Sequence, residues 1–230
     1  MSLLAAAGAI TNPVASTIYV EEDFTATTTG NLTTNNLVVD ELSGGWVGDA
    51  VDFGYDAGGG GVSVTAGSIR VTWVRTDGRE DVQVTGSAVL VRGSGTVRWV
   101  GWGLRGISTG RSSGLVLKFY GDTTSPNLVL IDGAFNGTVI KTWDLSGLTT
   151  PPVDGDTVEI VARCSGNDVT LVSLQVNGGA VQAIGETYTL TGAAATAHGA
   201  SSGADYYGLV AGRPGTGSFY EDFKVETIPA

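Results

Sequence analysis

The sequence predicts an all-β protein, a two-sheet antiparallel β-sandwich, and three observations carry that expectation. Period-two alternation of apolar and polar residues recurs along the chain, whereas the 3.6-residue spacing of an amphipathic helix is hard to find beyond residue 10. Glycine supplies 36 of 230 residues and charged residues only 15%, which with abundant Thr, Val and Ser is the vocabulary of strands and tight turns. Asn-Gly pairs stand between alternating runs, where a short hairpin needs positive φ at its central positions. One large sandwich accounts for this length, so the chain divides into an N-terminal arm at 1–17 and a sandwich domain at 18–230.

Taken in order, "MSLLAAAGAITNP" is apolar but lacks the basic residues that open a secretory signal. It reads either as a docking segment, with Leu3, Leu4, Ile10 and Pro13 meeting a neighbouring subunit, or as a strap over its own domain. "YVEEDF" (19–24) opens the domain as a strand, and "GYDAGGGGVS" (54–63) has too little apolar content for one and reads as a long loop. In "SIRVTWV" Ile69, Val71 and Trp73 share a face; in "GLVLKFY" Leu115, Leu117 and Phe119 do; in "TVEIVARC" Val158, Ile160, Ala162 and Cys164 do. Each of these is expected to be a half-buried strand, with Cys164 a core residue and not a reactive thiol. Asn136-Gly137 and Asn177-Gly178-Gly179 mark hairpin turns, and Asp122–Asn127 and Ser165–Asp168 mark longer ones. "TGAAATAHGASSGAD" (191–205) reads as a second long loop before "FYEDFKVE" (219–226) closes the domain.

The sequence of pieces "EEDF", Trp46, "GLVLKFYGDTTSPNLVLIDGAFNGTVIKTWDL", "GDTVEIVARCSGNDVTLVSLQVNGG" and "YYGLVAG…SFYEDFKVE" resembles the concanavalin A-like, or laminin-G-like, jelly roll. That resemblance implies that the first and last strands are neighbours in one sheet, laying "YVEEDF" beside "FYEDFKVE". Alternation then points Phe24 and Phe223 inward with Val20, Phe219 and Val225, and puts Glu22 and Glu221 on the same inner side. A carboxylate there must pair, stay protonated, sit at the sheet end or be turned outward by a bulge. The sharper reading is a calcium ion bridging the ends through Glu22, Asp23, Glu221 and Asp222; the plainer one is solvated strand ends or an Arg partner.

Several functions are disfavoured by the same residues. The net charge is −11, and no Lys or Arg precedes Arg70, so the clustered basic groups of a nucleic-acid groove are missing. No run reaches the roughly 20 apolar residues of a membrane span. The Glu-x-Asp-x-Glu triplet that family 16 type glycanases place on one strand does not occur, and a single His and a single Cys leave few groups for nucleophilic or zinc chemistry. A non-enzymatic protein is therefore expected. Aromatic residues offer stacking platforms for sugars: Trp99 and Trp102 on opposite faces of one strand, and Tyr206 and Tyr207 near the last loop.

The acidic, cysteine-poor, Gly/Thr/Val/Ser-rich make-up is similar in style to accessory proteins of tailed bacteriophages. The similarity implies a virion-surface structural protein, a capsid decoration, head fibre or tail accessory. It would dock as a homo-oligomer, a trimer, on capsid or tail proteins through Ser2 to Pro13 and touch host glycans with its loops. The alternative is a lectin-like carbohydrate-binding module of a bacterial surface or phage receptor-binding protein.

Overall fold

The computed structural model describes residues 16–24, 30–33, 39–40, 45–56, 61–64, 69–90, 99–119, 127–133, 137–212 and 220–229. The docking residues Leu3, Leu4, Ile10 and Pro13, and also Asn136 and Phe219, lie outside them.

Strands follow one another along the chain as β1 (Ile18–Glu22), β2 (Gly30–Asn31), β3 (Val39–Asp40), β4 (Val47–Gly48), β5 (Phe53–Asp56) and β6 (Gly61–Val64). Next come β7 (Arg70–Arg75), β8 (Val82–Val89), β9 (Trp99–Gly106), β10 (Leu115–Phe119), β11 (Asn127–Asp132) and β12 (Thr138–Asp144). The series ends with β13 (Thr157–Ser165), β14 (Asp168–Val176), β15 (Gln182–Thr189), the helix α1 (Gly192–His198), β16 (Tyr206–Gly212) and β17 (Tyr220–Thr227). The first sheet runs β15-β14-β13-β8-β17-β6-β5-β2, with β1 also paired to β17 and β3; the second runs β12-β11-β10-β9-β16-β7-β4. Every pairing is antiparallel, as expected of a jelly-roll sandwich.

The outer strands meet as the resemblance implies. β1 lies against β17 with Val20 opposite Val225, Glu21 opposite Lys224 and Glu22 opposite Phe223. Trp46 packs its indole on both members of that seam, 6.2 Å from Phe24 and 5.5 Å from Phe223 between ring centroids.

Between the sheets, period two does what the sequence asks. Val158, Ile160, Ala162 and Cys164 point inward from β13, and Leu115, Leu117 and Phe119 from β10, into one continuous core. Trp102 sits at its centre, edge-on to Phe119 and Tyr220. It lies so close to Gly86 that a Cβ there would fall 2.0 Å from the indole nitrogen, so β8 needs glycine at this point. Tyr220 crosses the whole core from β17: its hydroxyl donates to the Val210 carbonyl at 2.6 Å and accepts the Gly101 N–H at 3.2 Å. Asn177 and Gly178, both at positive φ, turn β14 into the β15 hairpin as their sequence predicts.

Three expectations need correction. The 54–63 stretch is not all loop, because β5 and β6 enter it and pair, Phe53 opposite Val64 and Tyr55 opposite Val62, while 57–60 lies outside the described residues; short strands need little apolar content when the partner strand and sheet supply the pairing. Residues 191–205 are not all loop, because "GAAATAH" forms α1; alanine is the best helix former, and Ala194 and His198 bury one side of the turn. β7 and β10 are buried on both faces, not one: Thr72 and Val74 of β7 and Leu115, Leu117 and Phe119 of β10 face inward, while Val71, Trp73 and Val116 join a second apolar cluster with Trp99 and Val210 on the outer face, and Lys118 is buried beside them. Among the described residues, no helix is long and apolar enough to cross a membrane.

Candidate functional site

The richest polar construction lies at one end of the sandwich, where the β7–β8 connection, the β13–β14 turn and the segment after α1 converge. Its pivot is Arg105. A shift in the β9–β16 register, with Gly103 opposite Gly208 but Gly106 opposite Tyr206, inserts one residue on the β9 side, and Arg105 takes φ of 50° there. The bulge turns a long cationic side chain into the end of the sandwich, where it is 0% exposed. Its guanidinium donates to the carbonyls of Gly166, of His198 at 3.0 Å and of Glu80 at 3.1 Å, and to the Asp81 carboxylate at 3.3 Å. A planar five-donor fork is the one side chain that reaches four acceptors on three chain segments at once.

The surroundings are fixed to match. Asp81 also accepts the Gly166 N–H at 2.8 Å, and the Glu80 carboxylate accepts the N–H groups of Ser201 at 2.7 Å and Gly203 at 2.6 Å. His198 faces the Arg105 carbonyl with Nδ1 (2.9 Å) and Asp132 with Nε2 (3.2 Å). Asp205, almost wholly buried, accepts from Gly78 N–H and Arg75. Beneath the same hub, burial drives the Cys164 thiol up to about 11 and the Tyr207 phenol well above its ordinary value, against the opposing pull of Arg105.

Over this base opens a pocket of about 370 Å³ lined by Gly78, Arg79, Glu80, Asp81, Ala200 and Ser201. Arg79 is held from the other side: its guanidinium lies 4.9 Å from the Tyr19 ring centroid and donates to the Tyr19 hydroxyl at 3.3 Å. A second pocket of about 360 Å³ lies between Gly147–Thr150 and Ala180–Ala183. Its longest polar side chain, Gln182, is already engaged by both backbone groups of Thr150, at 3.0 and 2.9 Å.

The four aromatic candidates separate. Trp99 and Trp102 do lie on opposite faces, but Trp102 is the core residue and Tyr207 is equally interior, with its hydroxyl on the Glu80 carbonyl. Neither presents a ring to a sugar. Trp99 lies on the outer face of the second sheet, packed so flat on β16 that a Cβ at Gly212 would meet it at 2.0 Å, and covered by the Lys118 ammonium 4.2 Å from its centroid. Tyr206 keeps a partly exposed ring, with the Arg75 guanidinium 5.9 Å from its centroid.

The acidic candidates separate too. Glu22 is turned inward and accepts the Phe24 N–H at 3.0 Å. A bulge between Tyr220 and Asp222 turns Glu221 outward, where it accepts from Ser87 at 3.3 Å, so Tyr220 and Phe223 both point into the core three positions apart. Glu22 therefore lies on the other side of the sheet from Glu221 and Asp222, and the set does not converge on one ion. Burial, then the charges of Glu221, Glu159, Asp23 and Glu21, raises the Asp222 carboxyl. Among the described residues, no group of three or more His, Cys, Asp or Glu is arranged to hold a metal.

Fold and site together define a concanavalin A-like jelly-roll sandwich with a preorganised polar pocket at one end. No family model matches the chain, and no curated protein sequence does. Among solved structures it is similar to the CBM2 module of the evolved Dit of Lactobacillus casei BL23 phage J-1, at 14% identity and TM-score 0.50 over 94% of this chain and 97% of that one. It is similar also to winged bean acidic lectin complexed with methyl-alpha-D-galactose, at 7% identity and TM-score 0.50 over 88% of this chain and 99% of the lectin. A third likeness, to the GH43 protein BlXynB of Bacillus licheniformis, has 11% identity and TM-score 0.56 and covers 90% of this chain but 39% of that protein. At these identities the likeness is one of fold.

Proposed function

We propose that the chain is a non-enzymatic module of a tailed-phage particle that recognises carbohydrate, with attachment to capsid or tail proteins falling to Ser2–Pro13. The observation that carries the reading is the end pocket, whose two carboxylates and one guanidinium are oriented by the fold before any ligand arrives. Preorganisation of this kind lowers the ordering cost that otherwise erodes affinity for small polar ligands. Two likenesses support it: a phage CBM2 module spans nearly the same extent of sandwich, and a lectin of this fold is complexed with a galactoside.

The non-enzymatic part is supported by the fate of the reactive groups. Both nitrogens of the single histidine face structural partners, and burial keeps the single thiol protonated. The test is a glycan array probed with the full chain, run beside a reducing-sugar assay on the retained glycans. Retention without sugar release is the expected result. Release of reducing ends would replace this reading with a glycanase, and an empty array would leave particle attachment without carbohydrate recognition.

A further inference from the structure

The end pocket is lined by an acceptor-only group, Asp81, and a donor-only group, Arg79, each held by a partner outside the lining. Asp81 is pinned by the Gly166 N–H and Arg105 on one oxygen, Oδ1, while its side chain remains 61% exposed. Arg79 is exposed and spends on Tyr19 only one of the five N–H donors that a guanidinium carries. Glu80, the third charged group of the lining, is occupied with two backbone N–H groups and serves to shape the rim.

The balance of charge selects the ligand. Two carboxylates and one exposed guanidinium line the pocket. A carboxylated sugar drawn to Arg79 meets Glu80 and Asp81, and an ammonium drawn to Asp81 meets Arg79. A hydroxyl is both donor and acceptor, so two hydroxyls on adjacent carbons satisfy the pair together, one donating to Asp81 and its neighbour accepting from Arg79. We propose that this pocket is the subsite for a neutral sugar bearing two adjacent free hydroxyls, gripped between the Asp81 carboxylate and the Arg79 guanidinium. The inference rests on the carbohydrate reading above and assigns it a place and a ligand class. Arg105 acts here as a positioning residue, holding the Asp81 and Glu80 segment from within.

The experiment is a titration of the full chain by ligand-observed NMR. The probes are methyl glucoside, mannoside and galactoside, their singly deoxygenated analogues, N-acetylneuraminic acid and glucosamine. At least one neutral glycoside should bind; removing either of its two adjacent hydroxyls should weaken binding roughly ten- to a hundred-fold, the usual scale for hydrogen bonds to a charged group. The acidic and amino sugars should not compete. Asp81→Asn and Arg79→Ala should each reproduce the loss, and Arg79→Ala leaves the Arg105 network intact, so an unfolded Asp81→Asn protein does not spoil the test. Binding of a neutral glycoside that is indifferent to Arg79→Ala and to deoxygenation would overturn the assignment of the pocket while leaving carbohydrate recognition standing. Preferential binding of the acidic or amino sugar would overturn the ligand class. If glycans on the array and in the titration are all refused by the wild-type chain, the carbohydrate reading falls and this inference with it.

Discussion

At the scale of single residues, Arg105 concentrates the most consequence. A buried guanidinium is tolerated because it meets three carbonyls and a carboxylate. Cutting the side chain away takes that donor from the Gly166 and His198 carbonyls, while the Glu80 carbonyl keeps the Tyr207 hydroxyl and Asp81 keeps the Gly166 N–H. Asp81 is 61% exposed, so the loss falls on buried carbonyls: Arg105→Ala should cost about 1–3 kcal/mol for each carbonyl left unsatisfied, read as a lower midpoint in urea unfolding with an unchanged slope. Cys164, buried in the core beside Arg105, gives a second test. With its pKa driven up to about 11 by burial, it should resist an aromatic disulfide reagent at pH 8 and react only as fast as the protein opens, so labelling under native conditions at the rate of a free thiol would contradict its placement. The sequence showed that Cys164 belongs to the core through its place in an alternating run. It gave no sign of Arg105 as a hub, because the bulge that inverts this side chain follows from how β9 aligns with β16, a property of two strands 100 positions apart in sequence.

At the scale of elements, hairpins and alternating faces were legible, and the choice of inner face was not always. Period two sets Trp99 and Trp102 on opposite sides but is silent on which side is the core. That was settled by the glycines facing each ring: Gly86 across the core receives Trp102, and Gly212 on the neighbouring strand receives Trp99. The outer face of the second sheet also explains a clasp. The β9–β10 loop turns back there, and Arg111 within it donates twice to Asp49, at 2.7 and 3.0 Å, while Asp49 also accepts the Val71 N–H at 3.2 Å. Burial tends to raise the Asp49 carboxyl, but its hydrogen bonds and the Arg111 charge outweigh that, and the folded value lies below the ordinary 3.8. A depressed carboxylate contributes stability above its unfolded value and loses it as pH falls through the folded one. Asp49→Asn should accordingly lower the melting temperature at pH 6, and the difference from wild type should shrink as the pH is taken below about 4. A gap that stayed constant from pH 6 to pH 3 would show that the carboxylate's charge is not what holds the loop.

At the scale of the whole molecule, the acid-rich opening and the β1–β17 seam are the features most directly read from the sequence. The two similar end segments are strand partners as β1 and β17, although one bulge rearranges the acids between them. A net charge of −11 makes copies of the chain repel one another, and on the function proposed above attachment would rest on a local apolar contact. Deleting residues 1–12 should abolish incorporation into particles while leaving the melting temperature unchanged, and light scattering of the two forms should show whether the same segment joins copies into an oligomer. Unchanged occupancy in particles assembled with the truncated protein would remove the docking role from this segment.

The placement of β17 has a kinetic side. It is the last strand formed along the chain, yet it lies inside the first sheet, with β8 on one edge and β1 and β6 on the other. Thr17 and Thr227 are joined across a sequence separation of 210 residues. Loop closure of that length precedes any reward from the contacts it brings, the property that slows the folding of sandwiches built on non-local pairings. A nascent chain still lacking Tyr220–Thr227 holds β8 and β1 as open edges on either side of an empty slot, so translation has to reach the final strand before the sheet can seal.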